Sequence, residues 1–293
     1  MAIWNLGSIN ADHFYRVDHI PAPGETVLAQ DLDTGLGGKG ANMSVAAARA
    51  GALVNHIGAV GPDGQWALTR LMEYGVDTRR IATLDYPTGH AIISLDAEGE
   101  NAIVVYPGAN MAIERDAIGL ALSDAANGDV LVMQNETNAQ EFAAETGSQL
   151  GLKVAYAAAP FVASAVRQVL PFLDILVLNE VEMQQLQDST GLTPSAELGV
   201  DTVVVTKGAK GCTLYDVKTG WEPQDFAAIK VDPVDSTGAG DTFTGYFLAF
   251  VDRGASTVEA VQMAIKASAL MVTRAGTADV IPDLKEVLDW RPS

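Results

Sequence analysis

Short apolar, β-branched runs at residues 2–6, 54–60, 130–134, 154–157, 175–178 and 202–205 recur almost from one end of the chain to the other. They are uniformly apolar rather than alternating, which suits strands covered on both faces of a parallel sheet. Helical patterns lie between them. Over residues 65–74, Ala67, Leu68, Leu71 and Met72 recur on one side, and Gly75 stands where that helix would end. The rhythm predicts an α/β fold with a mostly parallel, doubly wound sheet flanked by helices. Two segments break it. Residues 26–32, and the pair 90–95 and 101–106 flanking Asp96-Ala97-Glu98-Gly99-Glu100, read as exposed strands, the pair joined by a hairpin-type connection. They predict a small antiparallel β-lid inserted at about residues 12–35 and 88–108, whose apolar faces include Val27, Ile92, Val104 and Tyr106. No repeat, low-complexity tract or linker interrupts the chain, so residues 1–293 are expected to form one domain.

Composition narrows the function. At 48% hydrophobic and 19% charged residues, the 293-residue chain has the make-up of a folded protein, not a disordered one. Its net charge of −19 repels phosphate backbones and anionic head groups, which argues against nucleic-acid and membrane partners. An anionic substrate would need local cations or backbone N–H groups to overcome that field. Residues 1–7 carry neither a positive flank nor a long apolar stretch, and no run reaches the ~20 apolar residues of a membrane span. A cytoplasmic protein is expected. The single cysteine, Cys212, excludes an intrachain disulfide and a thiolate-rich metal site. In Lys210-Gly211-Cys212-Thr213-Leu214 a turn runs into a strand, so Cys212 reads as a buried structural thiol.

Two glycine-rich segments carry the chemistry. Gly35-Leu36-Gly37-Gly38-Lys39-Gly40-Ala41-Asn42 precedes an Ala-rich helix at residues 43–50 and contains a literal G-x-G-x-x-G. A dinucleotide site would need the first core strand before it and an acidic residue closing a second strand; neither is clear. It is not a P-loop, because Gly40 follows Lys39. It reads either as a tight turn into a helix or as a turn that presents Lys39 and Asn42 to a polyhydroxylated ligand. The second segment is Val234-Asp235-Ser236-Thr237-Gly238-Ala239-Gly240-Asp241-Thr242-Phe243. Phe243, Tyr246, Phe247 and Phe250 then recur at helical spacing and read as a core-facing stripe. Gly238-Ala239-Gly240 opens that helix with free N–H groups at its positive end, an anion site. Asp241 inside such a turn would repel the anion. It is either a helix-start residue or a base that takes a hydroxyl proton beside a phosphoryl group.

Other polar residues follow the expected strands directly: Asn10 and Asp12, Glu136, Asn179 with Glu182, and Thr206-Lys207-Gly208. In open α/β sheets the ligand crevice lies outside the carboxyl ends of the strands, so these loops converge on one region.

Gly7-Ser8-Ile9-Asn10-Ala11-Asp12, Pro23-Gly24-Glu25-Thr26, Gly37-Gly38-Lys39-Gly40-Ala41-Asn42 and the segment from Asp235 to Phe243 together resemble the phosphofructokinase-B type, ribokinase-like family of carbohydrate kinases. The resemblance runs from Ile3 to about Pro282. It implies a ribokinase-like domain with a β-lid, ATP-dependent phosphorylation of a sugar hydroxymethyl group, and a homodimer formed through the lid. Position by position, it implies Asn10, Asp12, Gly38, Lys39, Asn42, Glu136 and Asp241 around the sugar. Asp241 would be the catalytic base, with Gly238, Ala239 and Gly240 as the anion hole. Asn179 and Glu182 would serve Mg²⁺ and phosphate. Asn179, Thr206, Gly208, Gly211 and Gly240 would hold ATP. Asp235 and Thr237 would open a K⁺ loop whose other arm includes Arg274 and Gly276. Two stretches depart from the pattern. Thr277-Ala278-Asp279-Val280 lacks a small hydroxyl residue to close the cation loop, and Ala264-Ile265-Lys266 lacks a polar side chain beside the adenine.

Asn10, Asp12, Lys39, Asn42 and Glu136 supply donors and acceptors, with no Arg or Lys cluster for a substrate phosphate. A compact, unphosphorylated polyol such as D-ribose, converted to D-ribose 5-phosphate, is therefore expected. A ketohexose or a nucleoside is the alternative within the family. An NAD-dependent dehydrogenase rests only on the match at residues 35–40. A non-catalytic sugar-binding regulator would have no use for Asp241.

Overall fold

The computed structural model describes residues 1–291. Its strands are β1 (Ala2–Leu6), β2 (Asn10–Arg16), β3 (Asp31–Gly37), β4 (Leu53–Val60), β5 (Val76–Thr83), β6 (Gly89–Leu95), β7 (Asn101–Tyr106), β8 (Val130–Gln134), β9 (Lys153–Ala157), β10 (Ile175–Asn179), β11 (Thr202–Thr206), β12 (Cys212–Asp216) and β13 (Gln224–Phe226). Its α-helices are α1 (Lys39–Arg49), α2 (Gln65–Glu73), α3 (Arg115–Leu122), α4 (Gln140–Gln149), α5 (Ala163–Val169), α6 (Glu180–Thr190), α7 (Ala239–Asp252), α8 (Thr257–Met271) and α9 (Leu284–Asp289). Among the described residues, no helix is long and apolar enough to cross a membrane.

The main sheet has the order β13-β12-β11-β10-β9-β8-β1-β4-β5. It is parallel except at β12 and β13, which pair antiparallel along one edge. Successive side chains of a strand point to opposite faces, and both faces are covered. Ile3, Val54, Val132 and Val177 pack with α1, α2, α7 and α8 on one side. Trp4, Leu6, Leu131, Met133 and Leu176 pack with α3, α4 and α5 on the other. This double burial is why the six expected strands read as mostly apolar runs without alternation. The edge strand β5 escaped that reading, because Asp77, Arg79 and Arg80 interrupt it.

From β1 the chain first builds β4 and β5 on one side, then returns to lay β8 through β13 on the other. The strand order reverses between β1 and β8. At that switch point the helical connections diverge to opposite faces and leave a crevice at the carboxyl ends. Gly7 and Ser8 follow β1 there, and Glu136 follows β8.

The second sheet, ordered β3-β2-β6-β7, is the lid. Its outer pairings are antiparallel, and the two insertions meet in a parallel pairing of β2 with β6. Two expectations are corrected. The first insertion places its strand at Asp31–Gly37, not at residues 26–32, and β2 precedes it. Asn10 and Asp12 accordingly lie on a strand and not in a loop after β1. The register also divides the expected apolar face. Ile92, Val104 and Tyr106 share a face with His13 and His90, opposite Asp12, while Ala91, Ile93 and Val105 lie on the Asp12 side; Val27 is outside the strands.

The two glycine-rich segments each start a helix. α1 begins at Lys39, earlier than expected, behind Gly38 at φ 92°. α7 begins at Ala239 behind Gly238 at φ 75°. Both caps use the left-handed half of backbone space, where a Cβ is penalised. Phe243, Tyr246 and Phe247 line the buried face of α7, as the spacing predicts.

Candidate active site

The site is built where two backbones touch. A Cβ on Gly7 would lie 2.6 Å from the Cα of Gly40, so neither position tolerates a side chain. Ser8 uses this proximity. Its Oγ donates to Glu136 Oε2 at 2.6 Å and accepts the Gly40 N–H at 3.1 Å. The Lys39 N–H donates to the same Glu136 oxygen at 3.0 Å. The end of β1, the start of α1 and the loop after β8 are thereby locked together.

α7 enters from the other side. Asn42 Nδ2 donates to Asp241 Oδ2 at 2.9 Å, and both side chains are buried. Asn42 Oδ1 is also buried and takes no partner among the described residues, an open acceptor for a ligand hydroxyl. Asp241 sits in the first turn of α7, where N–H groups have no acceptor within the helix. A side chain at Gly240 would meet nothing within 4 Å, so the space beside that turn is open, while the Ala239 N–H already donates to the Ser236 carbonyl at 3.2 Å.

The charges form one cluster. Burial pushes the Asp241 carboxyl up, opposed by the Lys39 ammonium and the Asn42 hydrogen bond and reinforced by Glu136. Asp241, ahead of Glu136, Glu182 and Asp12, holds the Lys39 pKa above its ordinary value against burial. Burial, with Glu136 and Asp241 nearby, lifts Asp12 to about 7, which Lys39 only partly offsets. Asp12, Lys39, Asn42, Glu136 and Asp241 therefore converge, with Gly38 capping the helix between them. Glu182, raised by burial, feels Lys39 and Asp241 as well.

Two residues of the site take no role from the sequence, although Ser8 stands within the motif at residues 7–12. Ser8 is a single hydroxyl between apolar neighbours. Asn110 lies in a 3-10 turn after the lid; it accepts the Ile9 N–H at 2.9 Å and donates to Asn10 Oδ1 at 2.8 Å. Neither periodicity nor spacing singles out either residue.

Asn179 and Glu182 first serve each other. Asn179 Oδ1 accepts the Glu182 N–H, and Glu182 Oε2 accepts the Asn179 N–H, each at 2.8 Å, a reciprocal cap on α6. Asn179 is partnered across the sheet with Thr206, at the carboxyl ends of β10 and β11. Gly208 and Gly211 bracket the turn beyond Thr206. No group of three or more His, Cys, Asp or Glu forms a metal cage among the described residues. The Glu182 carboxylate, within the field of Lys39 and Asp241, is an oxygen donor of the kind that would suit Mg²⁺ beside nucleotide phosphates.

At the other glycine segment, Asp235 Oδ1 accepts the Thr237 N–H at 2.8 Å and Oδ2 accepts the Gly276 N–H at 3.2 Å. The two arms of the expected cation loop thus meet on one carboxylate. Arg274 turns its guanidinium to the Val280 carbonyl and to Glu286, so only its backbone is left for an ion. The residues fit a large hard cation held by Asp235 and backbone carbonyls.

Comparison with known proteins identifies the family. Residues 3–284 match the pfkB family of carbohydrate kinases. A ribokinase from Haemophilus influenzae is 34% identical over 299 residues, covering 97% of this chain and 96% of that protein. The crystal structure of a ribokinase from Thermotoga maritima superposes with a TM-score of 0.86 at 31% identity, covering 98% of each chain. That of Arabidopsis thaliana ribokinase, complexed with ribose and ATP, gives 0.84 at 28% identity, again covering 98% of each. The fold and the site define a phosphotransferase with an alcohol group as acceptor. The chain belongs to the pfkB family of carbohydrate kinases.

The position of Asp12 makes stability depend on pH. Its pKa rises from 3.8 to about 7 on folding, so the folded state keeps the proton longer than the unfolded chain does. Stability contributed by the neutral acid is complete below 3.8 and is lost as pH climbs to about 7, levelling off above that. Asp12→Asn removes the titration. The melting temperature of the variant relative to wild type should rise between pH 4.5 and 8, by the equivalent of a few kcal/mol at most. Parallel curves in differential scanning calorimetry would show that Asp12 does not titrate in this window.

Proposed function

We propose that this protein phosphorylates the hydroxymethyl group of D-ribose with ATP, giving D-ribose 5-phosphate and ADP. The observation that carries this reading is a buried carboxylate, Asp241, in the first turn of α7 and within the field of a lysine. The sugar hydroxyl oxygen attacks the γ-phosphorus and its proton passes to Asp241. The bond from that phosphorus to the ADP oxygen breaks as the new P–O bond forms. A carboxylate raised by burial is a better base than one in water. Gly238, Ala239 and Gly240 supply amides for the charge on the transferring group, while Lys39 shares that charge from α1. Asn10, Asp12, Asn42 and Glu136 take the remaining sugar hydroxyls, with Gly38 leaving room for the ring. Asn179, Thr206, Gly208 and Gly211 hold the nucleotide, and Mg²⁺ bound with ATP neutralises its phosphates near Asn179 and Glu182. An ATP-using enzyme of this kind belongs in the cytoplasm, and residues 1–293 act as one kinase domain.

Ribose is favoured over a sugar phosphate by the charge at the site. Asp12, Glu136 and Asp241 surround the one ammonium of Lys39, and a substrate phosphate would stand among three acidic groups. A coupled ADP-release assay across pentoses, hexoses, sugar phosphates and nucleosides should give the highest kcat/KM with D-ribose. A larger value with fructose 6-phosphate or a nucleoside overturns the substrate. Asp241→Asn should lower kcat roughly 10²–10⁴-fold with ATP affinity little changed. A near-normal kcat would remove Asp241 from the chemistry.

K⁺ is assigned to the loop around Asp235, with Thr237, Arg274 and Gly276 contributing backbone oxygens. The ion would hold residues 235–240 so that the amides face the phosphoryl group. Initial rates at saturating ATP, Mg²⁺ and sugar should fall when K⁺ is replaced by a bulky organic cation at equal ionic strength. Equal rates in both, with Asp235→Ala indifferent to the exchange, would discard the ion.

The lid is assigned to a homodimer. β7 is exposed along its whole length, and its Val104 and Val105, on opposite faces, are 67% and 56% exposed. An unpaired, apolar edge strand of this kind calls for a cover. Light scattering should return twice the chain mass at micromolar concentration; a strictly monomeric mass rejects the dimer.

A further inference from the structure

Beneath the contact of Gly7 with Gly40 runs a chain of buried polar side chains that the reaction does not use. Asn5, Ser44, His56 and Gln134 are each no more than 1% exposed. Asn5 Nδ2 donates to the Gly40 carbonyl and to Ser44 Oγ, both at 2.8 Å. Gln134 Nε2 donates to Asn5 Oδ1 at 2.9 Å. Ser44 Oγ lies 2.8 Å from His56 Nδ1, and His56 Nε2 lies 3.0 Å from the Gly7 carbonyl.

The two carbonyls settle every proton. A carbonyl only accepts, so the Asn5 amide group must point its NH₂ at Gly40 and Ser44, leaving Oδ1 for Gln134. His56 must carry its proton on Nε2 to reach Gly7. Its Nδ1 is then bare in the neutral ring and takes the Ser44 hydroxyl proton, while Ser44 Oγ accepts from Asn5. Donation runs one way, from Gln134 through Asn5, Ser44 and His56 to Gly7. Burial holds the His56 pKa down to about 4, so the ring stays neutral at ordinary pH.

Such a chain adds little net stability, because apolar residues of the same shape could fill the space at similar free energy. The network is partnered except at Gln134 Oε1, which is buried and takes no partner among the described residues; the bonds it does make, in a dry interior, fix geometry. Both anchors are the glycines whose backbones touch, and immediately above them Ser8 and the Lys39 N–H hold Glu136.

We propose that Asn5, Ser44, His56 and Gln134 are positioning residues that set the Gly7–Ser8 turn against Gly40 and thereby place Glu136 and Lys39 for the sugar. This rests on the sugar-kinase reading above. Its test has one arm that needs no turnover. In ¹H–¹⁵N spectra, wild-type His56 should show a proton on Nε2 and none on Nδ1 from pH 6 to 8. His56→Leu should shift the Ser8, Gly40 and Ala41 amide resonances. In the kinetic arm, His56→Leu should raise the KM for D-ribose about tenfold, the effect of misplacing roughly one hydrogen bond. The KM for ATP should stay within about twofold. His56→Gln, which retains an N–H for Gly7, should recover most of the ribose KM even where its melting temperature stays low. Ser44→Ala, a smaller change, stands in for His56→Leu if that variant does not fold. A protonated Nδ1, unmoved Ser8 and Gly40 resonances, or a ribose KM unchanged in a folded variant would overturn the proposal. A wild-type protein that phosphorylates no sugar would defeat the substrate reading alone and leave the spectroscopic arm to decide the positioning role.

Discussion

The constraint on which the rest depends is the approach of Gly7 to Gly40. β1 ends at the switch point of the sheet, and only a bare backbone there lets α1 begin directly above it. α7 then packs on α1 by the same device: a Cβ on Gly245 would stand 2.5 Å from that of Ala46 and 2.6 Å from the Met43 carbonyl. Two helix starts are brought to one point with nothing bulky between them. One delivers Lys39 and Asn42, the other Asp241 and a row of amides. Side chains at either crossing would separate these groups before any chemistry is considered.

Charge then decides what can occupy the crevice. The chain carries −19 overall, so a polyanionic nucleotide approaches against the mean field. On the function proposed above, amides and Mg²⁺ would hold it at short range, outside the cluster of Asp12, Glu136 and Asp241. The sugar half has the opposite character. There, three acidic groups share one ammonium, burial raises two of them, and their demand is for hydroxyl protons. A neutral polyol meets that demand without bringing further charge into a dry site.

The sequence was legible where one physical rule acted alone. Strands covered on both faces show as apolar runs, and α7 shows its aromatic stripe. The glycine motifs announce turns that only glycine can make. It was illegible where tertiary contacts overruled local pattern. β2 carries Asp12, His13 and Arg16, and is a strand because β3 and β6 pair with it on both edges. β3 falls at residues 31–37, over two glycines, because Asp12 lies across them. Gly37 has no room for a Cβ beside that carboxyl. In the candidate site, the charged members were visible as motif residues. Asn110, Asn5, Ser44 and His56 were not, and Ser8 stood in a motif without a role, since an isolated polar residue has no period. Their meaning exists only once β1, β4 and α1 are stacked.

Asn10 and Asp12 also explain why lid and sugar are one problem. β2 leaves the crevice two residues after Ser8, so the residues proposed to face the sugar are the first residues of the lid itself. At its root, Asn110 from beyond the second insertion bonds the Ile9 backbone and the Asn10 side chain of the first. The parallel pairing of β2 with β6 starts at that same point, Asn10 opposite Gly89. Both insertions are therefore tied together at Asn10. Asp12 lies two residues further out, buried and raised while no hydroxyl bonds it. The acid of the site with the raised pKa is thus carried by a strand paired on both edges, so its position is set by the register of the four-stranded sheet.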